Sequence, residues 1–411
     1  MNRLEELIQR LCPDGVEYKK LGEIAEIIRG GSFQKKDFSD NGIPCIHYGQ
    51  IYTRYGMFAD KTITYIPEEI SGKQKYAQPG DIVMAVTSEN IEDVCKCVAW
   101  LGNEPAAISG HTAIIHHSQS PKYLTYFFHS THFQAQKLKY IHGTKVMEVT
   151  PSKLTEIIIP VPPLPVQEEI VRILDNFTER TTELTTELTV ELTARKKQYE
   201  YYRDSILPFD VVEKYQLGDV ATIMRGASPR PIKSFVTKDE NGVNWIKIGD
   251  AKVDSKYITE TKERITEEGA KKSRYVKSGD FILSNSMSFG RPYILKTSGC
   301  IHDGWLSISD FQDKLSPDFL YHVLTSTYMQ GLMKKKASFG GAVQNLNADI
   351  VRELEIPVPS LDEQERIVNI LDRFESLCND MTSGLPAEIE ARQKQYEYYR
   401  DKLLTFKELS D

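Results

Sequence analysis

The feature that most constrains this 411-residue chain is that its second half repeats its first. Ile159-Pro160-Val161-Pro162 returns as Ile356-Pro357-Val358-Pro359, Gln167-Glu168 as Gln364-Glu365, and Ile173-Leu174-Asp175 as Ile370-Leu371-Asp372. The run from Lys197 to Asp204 returns intact as Lys394 to Asp401. The offset is 197 residues throughout, and 27 of the 49 positions from 159 to 207 are identical without a gap, which chance does not supply. Upstream the copies diverge but keep their order: Leu21-Gly22 answers Leu217-Gly218, Arg29-Gly30 answers Arg225-Gly226, Gly80-Asp81 answers Gly279-Asp280, and Leu124 to Ser130 answers Leu320 to Ser326. Each half is therefore a variable globular part followed by a near-constant part. Two copies of one unit predict a pseudo-two-fold arrangement, by analogy with symmetric dimers.

The constant part reads as a long helix. Proline removes a backbone donor and disfavours helix before it, so Pro162-Pro163-Leu164-Pro165 and Pro357-Val358-Pro359 end what precedes them. From 166 to Leu207 there is no Pro or Gly, and Ile170, Leu174, Phe177, Leu184 and Leu188 fall on one helical stripe. This predicts a helix over 166–207, roughly 60 Å long, whose stripe needs a partner helix. Its own repeat, 362–404, is the obvious antiparallel partner, broken at Ser383-Gly384-Leu385-Pro386 with Ser383 as an N-cap candidate. Three tetrads, Thr181-Thr182-Glu183-Leu184, Thr185-Thr186-Glu187-Leu188 and Thr189-Val190-Glu191-Leu192, lie inside the first helix. They are either a solvated helix with a leucine ridge or a ruler whose length changes by about 6 Å per tetrad.

The globular parts read as mixed α/β. β-like runs are Ile43 to Ile51, Lys61 to Ile66, Asp81 to Val86 and Thr112 to His116, then Asn244 to Ile248 and Phe281 to Ser284. Helix-like segments run from Pro121 to Leu138 and Pro317 to Lys336. The fold class is thus α+β: residues 1–12 an N-terminal helix, 13–160 and 210–356 the globular domains, and 161–209 and 357–411 the helical regions. Residues 2–11 with Cys12-Pro13 echo Ile206-Leu207-Pro208, as if the tail of a helical region had been moved to the front.

Composition excludes several classes. Hydrophobic content of 40% and charged content of 27% are ordinary for a globular chain. No apolar run reaches the roughly 18–20 residues needed to span a bilayer, and the charged N-terminus is no signal peptide, so a cytoplasmic protein without membrane contact is expected. Cys12, Cys45, Cys95, Cys97, Cys300 and Cys378 are scattered, against a disulfide framework. Cys95 and Cys97 lack the spacing and second pair of a zinc site, so they read as two small residues on one face of a strand and no metal is expected. The net charge of −7 looks wrong for a nucleic-acid binder, but the acid is concentrated: −3 over 161–209 and −5 over 357–411, against −1 over 13–160 and +2 over 210–356. Any DNA-binding face must be a local patch. No phosphate-binding loop, dinucleotide fingerprint, H-E-x-x-H, G-x-S-x-G or adenine-methyltransferase tetrapeptide (Asn/Asp-Pro-Pro-aromatic) occurs, so no catalytic residues are expected.

What remains is a set of Gly-, Ser- and Asn-rich loops carrying cations. In the first half these supply Arg29, Ser32, Gln34, Lys35 and Lys36, then His47 and Gln50, then Thr144 and Lys145. In the second they supply Arg225, Ser228 and Arg230, then Asn285, Ser286 and Arg291, then Lys334, Lys335 and Lys336, then Gln344 and Asn345. Glycine lets backbone approach phosphate, Lys and Arg neutralise it, and Arg, Gln and Asn bind base edges bidentately. Any one loop also fits an ordinary polar turn; matching loops in both halves favour DNA. Tyr199, Tyr201, Tyr202 and Arg203, with Tyr396, Tyr398, Tyr399 and Arg400, cover more than one helix face and are candidate partner contacts, with packing on their own domain as the alternative.

The repeated Ile-Pro-Val-Pro and Gln-Glu-x-Ile-Val-x-Ile-Leu-Asp elements, with Ala-Arg-x-Lys-Gln-Tyr-Glu-Tyr-Tyr-Arg-Asp at 194–204 and 391–401, resemble the conserved regions of type I restriction–modification specificity subunits. The tetrads are similar to a family feature that sets the DNA spacer. The resemblance covers the whole chain. It implies two target-recognition domains, each reading half of a bipartite asymmetric site in double-stranded DNA. It also implies an antiparallel coiled coil docking methyltransferase subunits, two in number, and through them restriction/translocase subunits. S-adenosylmethionine, ATP and magnesium would be used on those partners, with no cofactor on this chain. A stand-alone DNA-binding regulator, a fused nuclease, and a coiled-coil scaffold are the competing readings.

Overall fold

The computed structural model describes residues 2–252, 255–285, 289–337, 346–379 and 384–409. The chain divides into two units, the first of Met1–Thr186 with Glu390–Asp411, the second of Glu187–Ile389.

In the first unit a five-stranded sheet runs Ala25–Arg29, Thr112–His117, Ile82–Ala85, Cys97–Trp100, Phe58–Ala59 in spatial order, antiparallel except for its last pair. Side chains alternate across a strand, and here both faces are covered. Ile82 and Met84 pack with Tyr123, Phe127 and Phe128 of the helix Pro121–Phe128. Val83 and Ala85 pack with Ile46 and Ile108 of a second sheet, ordered Thr64–Ile66, Ile43–Ile46, Ala106–Ile108, Lys75–Ala77. That is why Ile82–Ala85 and Cys97–Trp100 are buried at every position. The result is helix, sheet and sheet in three layers.

The second unit repeats the plan of the main sheet strand for strand. Its main sheet is Thr222–Arg225, Trp305–Ser309, Phe281–Ser284, Pro292–Leu295, Tyr257–Ile258, again with the last pair parallel. Phe281 and Leu283 face the helix Pro317–Thr325, and Ile282 faces the second sheet. Truncating Leu283, fully buried here, to alanine would cost about 2–5 kcal/mol. The second sheet gains one edge strand, Val236–Thr237. Each unit closes with a short antiparallel pair, Tyr18–Lys20 with Ile158–Pro160 and Lys214–Gln216 with Glu355–Pro357, so the repeated Ile-Pro-Val-Pro run leaves a strand and turns into a helix.

That helix spans Leu164–Ile206, 43 residues and about 65 Å of rise. Val166, Ile170 and Leu174 are fully buried in the first unit's core, whereas Leu184, Leu188 and Leu192 of the tetrads are half-buried. The boundary between the units, Thr186 to Glu187, falls inside the tetrads. The repeat comprises the helices Leu361–Asn379 and Leu385–Leu403, interrupted where Gly384 and Pro386 predict a break; Ser383 lies outside the described residues. Within the first unit, Phe177 meets Tyr399 at 6.0 Å between ring centroids and Thr178 Oγ1 lies 2.9 Å from the Tyr396 hydroxyl, the antiparallel order expected. Within the second, Tyr202 stacks on Phe374 at 5.3 Å. Arg3–Leu11 is a helix capped reciprocally by Asn2 and Glu5, and the chain's last described residues run beside its first turn: Val16 N–H donates to Lys407 O at 2.9 Å, and Leu409 N–H donates to Val16 O.

Several local expectations shift. The run read as one strand from Ile43 to Ile51 ends at Ile46 and becomes the helix Tyr48–Thr53, because His47 caps it. The single helix expected over Pro121 to Leu138 is two, Pro121–Phe128 and Thr131–Lys137, since Ser130 caps the second; Pro317 to Lys336 divides likewise into Pro317–Thr325 and Thr327–Ala337. Cys95 does not share a strand with Cys97: it sits at φ 70°, before the strand begins.

Candidate nucleic-acid interface and the joints behind it

In both units the Arg-Gly after the first strand packs on the loop before the second. Gly30 N–H donates to Thr112 O and Gly226 N–H to Trp305 O. A β-carbon on Gly30 would lie 2.0 Å from Ser109 O, and one on Gly226 2.1 Å from His302 O, so only glycine permits this approach. Arg29 Nε donates to Gly110 O at 3.1 Å, and Arg225 Nε to the equivalent carbonyl, Asp303 O, at 3.3 Å. Arg29 also pairs with Glu148 at 3.1 Å. Both arginines remain exposed.

Around Asp303 the second unit gathers four candidate residues. Ser228 Oγ donates to the carboxylate at 2.6 Å, Arg230 lies 3.8 Å away, and Asn285 Nδ2 donates to Asp303 O, where Arg225 also binds. The Ser228 hydroxyl, outweighing partial burial with help from His302 and Arg230, holds the Asp303 carboxyl below the usual range, so it stays ionised. Arg230 is 85% exposed and Asn285 buried. Arg291 lies over the Tyr293 ring at 5.6 Å. Lys334, Lys335 and Lys336 form the last turn of Thr327–Ala337, where cations also suit the helix dipole, and Lys336 pairs with Glu353 at 3.0 Å. Ser286, Gln344 and Asn345 lie outside the described residues.

In the first unit Ser32, Gln34, Lys35, Lys36, Thr144 and Lys145 are exposed. His47 and Gln50 are buried and build the helix that follows them: His47 Nδ1 accepts from Gly49 N–H at 3.1 Å, and His47 N–H donates to Gln50 Oε1. Burial, reinforced by Lys35 and His111, lowers the His47 pKa to about 4, so the ring is neutral near pH 7. Tyr48 sits between His47 and His111, 4.5 and 5.0 Å from their centroids. Glu148, in the short strand Met147–Glu148, and His111, His302 and Asp303, in loops, carry no sign of this role in the sequence beyond the Asp-Gly turn of His302-Asp303-Gly304.

The repeated polar residues turn inward. Gln167 and Gln364 are fully buried. Gln167 Oε1 accepts from Ser120 N–H at 3.0 Å while its Nε2 donates to Pro162 O and Gln119 Oε1, both at 2.8 Å. Gln364 Oε1 accepts from Ser316 N–H at 2.8 Å and its Nε2 donates to Pro359 O and Lys314 O. Asp175 accepts from Lys122 at 2.6 Å and from the Tyr126 hydroxyl at 2.7 Å; Asp372 accepts from Lys256 at 3.2 Å and His322 Nε2 at 2.8 Å. Asp401 accepts from Thr131 Oγ1 at 2.6 Å, and Asp204 accepts from Thr327 N–H at 3.1 Å. Arg203 and Arg400 are buried beside those aspartates, and Tyr199 is buried with its hydroxyl 3.1 Å from His322 Nδ1. Tyr396 is half-buried on Thr178. Tyr201 and Tyr398, by contrast, are 69% and 62% exposed, with Tyr202 and Tyr399 partly so.

Among the described residues, His322, Asp372 and Glu375 lie close enough to share a cation. Both His322 ring nitrogens already have partners, so the group acts as a hydrogen-bonded brace. No helix among the described residues is long and apolar enough to cross a membrane.

A family profile described as the type I restriction modification DNA specificity domain matches twice, over 13–194 and 210–391. A putative type I restriction enzyme specificity subunit of Haemophilus influenzae is 36% identical over 315 residues, 75% of this chain and 76% of the relative. The type I restriction enzyme EcoR124I/EcoR124II specificity subunit of Escherichia coli is 37% identical over 252 residues, 59% of this chain and 60% of the relative. Among solved structures, a chain from work on complex assembly and conformational transition of the type I restriction–modification system superposes with TM-score 0.69 at 18% identity, covering 96% of this chain and 98% of that one. The HsdS subunit from Thermoanaerobacter tengcongensis gives 0.53 at 18% identity, covering 97% and 99%.

Proposed function

The chain belongs to the type I restriction–modification DNA specificity family, as a DNA specificity subunit that is not itself catalytic, and on that premise we propose that residues 13–160 and 210–356 each read one half of a bipartite, asymmetric site in double-stranded DNA. The observation that carries this is the contrast within the repeat. The two units share a topology and the polar residues that seat them on the helices, and they differ in the exposed loops. Identical loops would read a palindrome; different loops read two unlike half-sites. The exposed lysines position the units on phosphate, and the exposed Arg29, Ser32, Gln34, Arg225 and Arg230 reach base edges.

Two copies of one exposed surface fit two copies of one partner. Tyr201 and Tyr398, each within an identical eight-residue run, are the proposed anchors for methyltransferase subunits. S-adenosylmethionine then belongs to those subunits, and ATP and magnesium to a restriction/translocase subunit bound through them. A stand-alone regulator would have no use for large exposed aromatics duplicated on its helices. The test is exchange: replacing 210–356 with the corresponding segment of a relative that methylates a known site. One half of the methylated motif should change and the other stay. If both halves change, or neither does, the proposal fails.

A further inference from the structure

A ruler measures only if both ends are fixed. We propose that Asp204 and Asp401, with Gln167 and Gln364, are positioning residues that make the spacing between half-sites a sharp requirement; this rests on the bipartite reading above. In each unit the α/β domain is held to the helical region at three separate points. One is the glutamine at the N-terminus of the domain's first long helix, Pro121–Phe128 or Pro317–Thr325. The second is Asp175 or Asp372 on the side of that helix. The third is Asp401 or Asp204 at the N-terminus of the next helix, Thr131–Lys137 or Thr327–Ala337. These bonds add directional restraint to the apolar seat that Val166, Ile170 and Leu174 form in the first unit and Ile367 and Leu371 in the second.

The chemistry of the outer points bears on specificity. Gln167 and Gln364 bind backbone atoms of Ser120, Pro162, Ser316, Pro359 and Lys314, with Gln119 Oε1 as the one side-chain partner, Asp204 binds the backbone N–H of Thr327, and Asp401 binds the Thr131 hydroxyl at 2.6 Å and its backbone N–H at 3.4 Å. Backbone partners exist whatever the side chains are. The joint can therefore stay constant while recognition loops change, so a new domain would inherit the old spacing. A glutamine with no exposed surface and its oxygen and nitrogen both engaged is costly to replace, which accounts for its identity in both copies.

The experiment uses the chain with its methyltransferase, and plasmids carrying both half-sites at the native spacing and at one base pair more or less. Asp204→Ala/Asp401→Ala should leave the half-site bases unchanged while the ratio of methylation at native over neighbouring spacings falls by about fivefold for each clamp lost, since a clamp cannot enforce more than the worth of one helix cap. Asp204→Asn/Asp401→Asn, which keeps the accepting oxygen, should restore the ratio. Single Asp204→Ala, at the more exposed of the two clamps, carries the test if the double variant does not fold. A variant that methylates more slowly with the spacing ratio unchanged overturns the inference and leaves these residues as stability elements. A wild-type complex that directs no methylation to any two-part site would instead sink the bipartite reading itself.

Discussion

Deleting Thr185-Thr186-Glu187-Leu188 should shorten the recognised spacer and leave both half-sites intact. The segment lies inside the continuous helix Leu164–Ile206, at the boundary between the two units. Removing four residues withdraws about 6 Å of rise and turns everything beyond by about 40°. The DNA helix advances ~3.4 Å and turns roughly 34–36° per base pair. The rotation thus matches one base pair and the translation nearly two, with tilt between protein helix and DNA axes taking up the difference; one is the expected result and two the lesser alternative. The helix should survive the change. Its half-buried leucines recur every four residues, and threonine hydroxyls bond carbonyls four residues back, as Thr185 does to Thr181 O at 2.7 Å, so the next tetrad moves into the vacated role. Methylation mapping of the deletion variant is the assay. An unaltered spacer would show the tetrads to be only a leucine ridge, and altered half-site bases would show that they touch recognition itself.

Other outcomes follow from particular residues. Lys334→Ala/Lys335→Ala/Lys336→Ala should weaken duplex binding and flatten the slope of log K against log salt by about one to three units while keeping the sequence preference; a slope equal to wild type means that the lysines touch no phosphate. Tyr201→Ala/Tyr398→Ala should lose methyltransferase in co-purification, each truncation costing on the order of 2 kcal/mol of binding if the tyrosines are anchors, with the melting temperature nearly unchanged because both rings are largely exposed. Full retention of the partner removes these residues from the interface. His47 is neutral when folded, its pKa lowered to about 4 by burial, Lys35 and His111. The unfolded chain therefore takes up this proton more readily between about pH 6.5 and 4, and stability falls as pH falls through that window. His47→Asn, with a side-chain oxygen to accept from Gly49 N–H, should lose less melting temperature over that range than wild type, and parallel curves would contradict the assignment.

The long helix and its broken repeat were legible because proline and glycine punctuate them and nothing else competes over forty residues. The repeat also gave the two-unit plan directly. Short elements were harder. A histidine cap at 47 ended a strand that composition alone would have run to Ile51, and Ser130 divided a helix whose apolar pattern continues through it. That the loops at Gly110 and Asp303 meet Arg29 and Arg225 was not legible, because strand pairing brings together residues 78 or more apart in the chain. The identical polar residues were visible as a pattern, but their direction was not. Sequence left Arg203 and Arg400 open between partner contact and packing on their own domain; the fold buries them beside Asp204 and Asp401, while Tyr201 and Tyr398 two positions earlier are exposed.

The most direct measurement is a genome-wide map of methylated adenines in cells carrying this chain with its methyltransferase, compared with the same cells lacking this chain alone. A DNA specificity subunit with two unlike reading units gives one motif of two different half-sites separated by a fixed spacer, absent from the cells without the chain. A motif that persists without it, or a single contiguous or palindromic motif, contradicts the central claim.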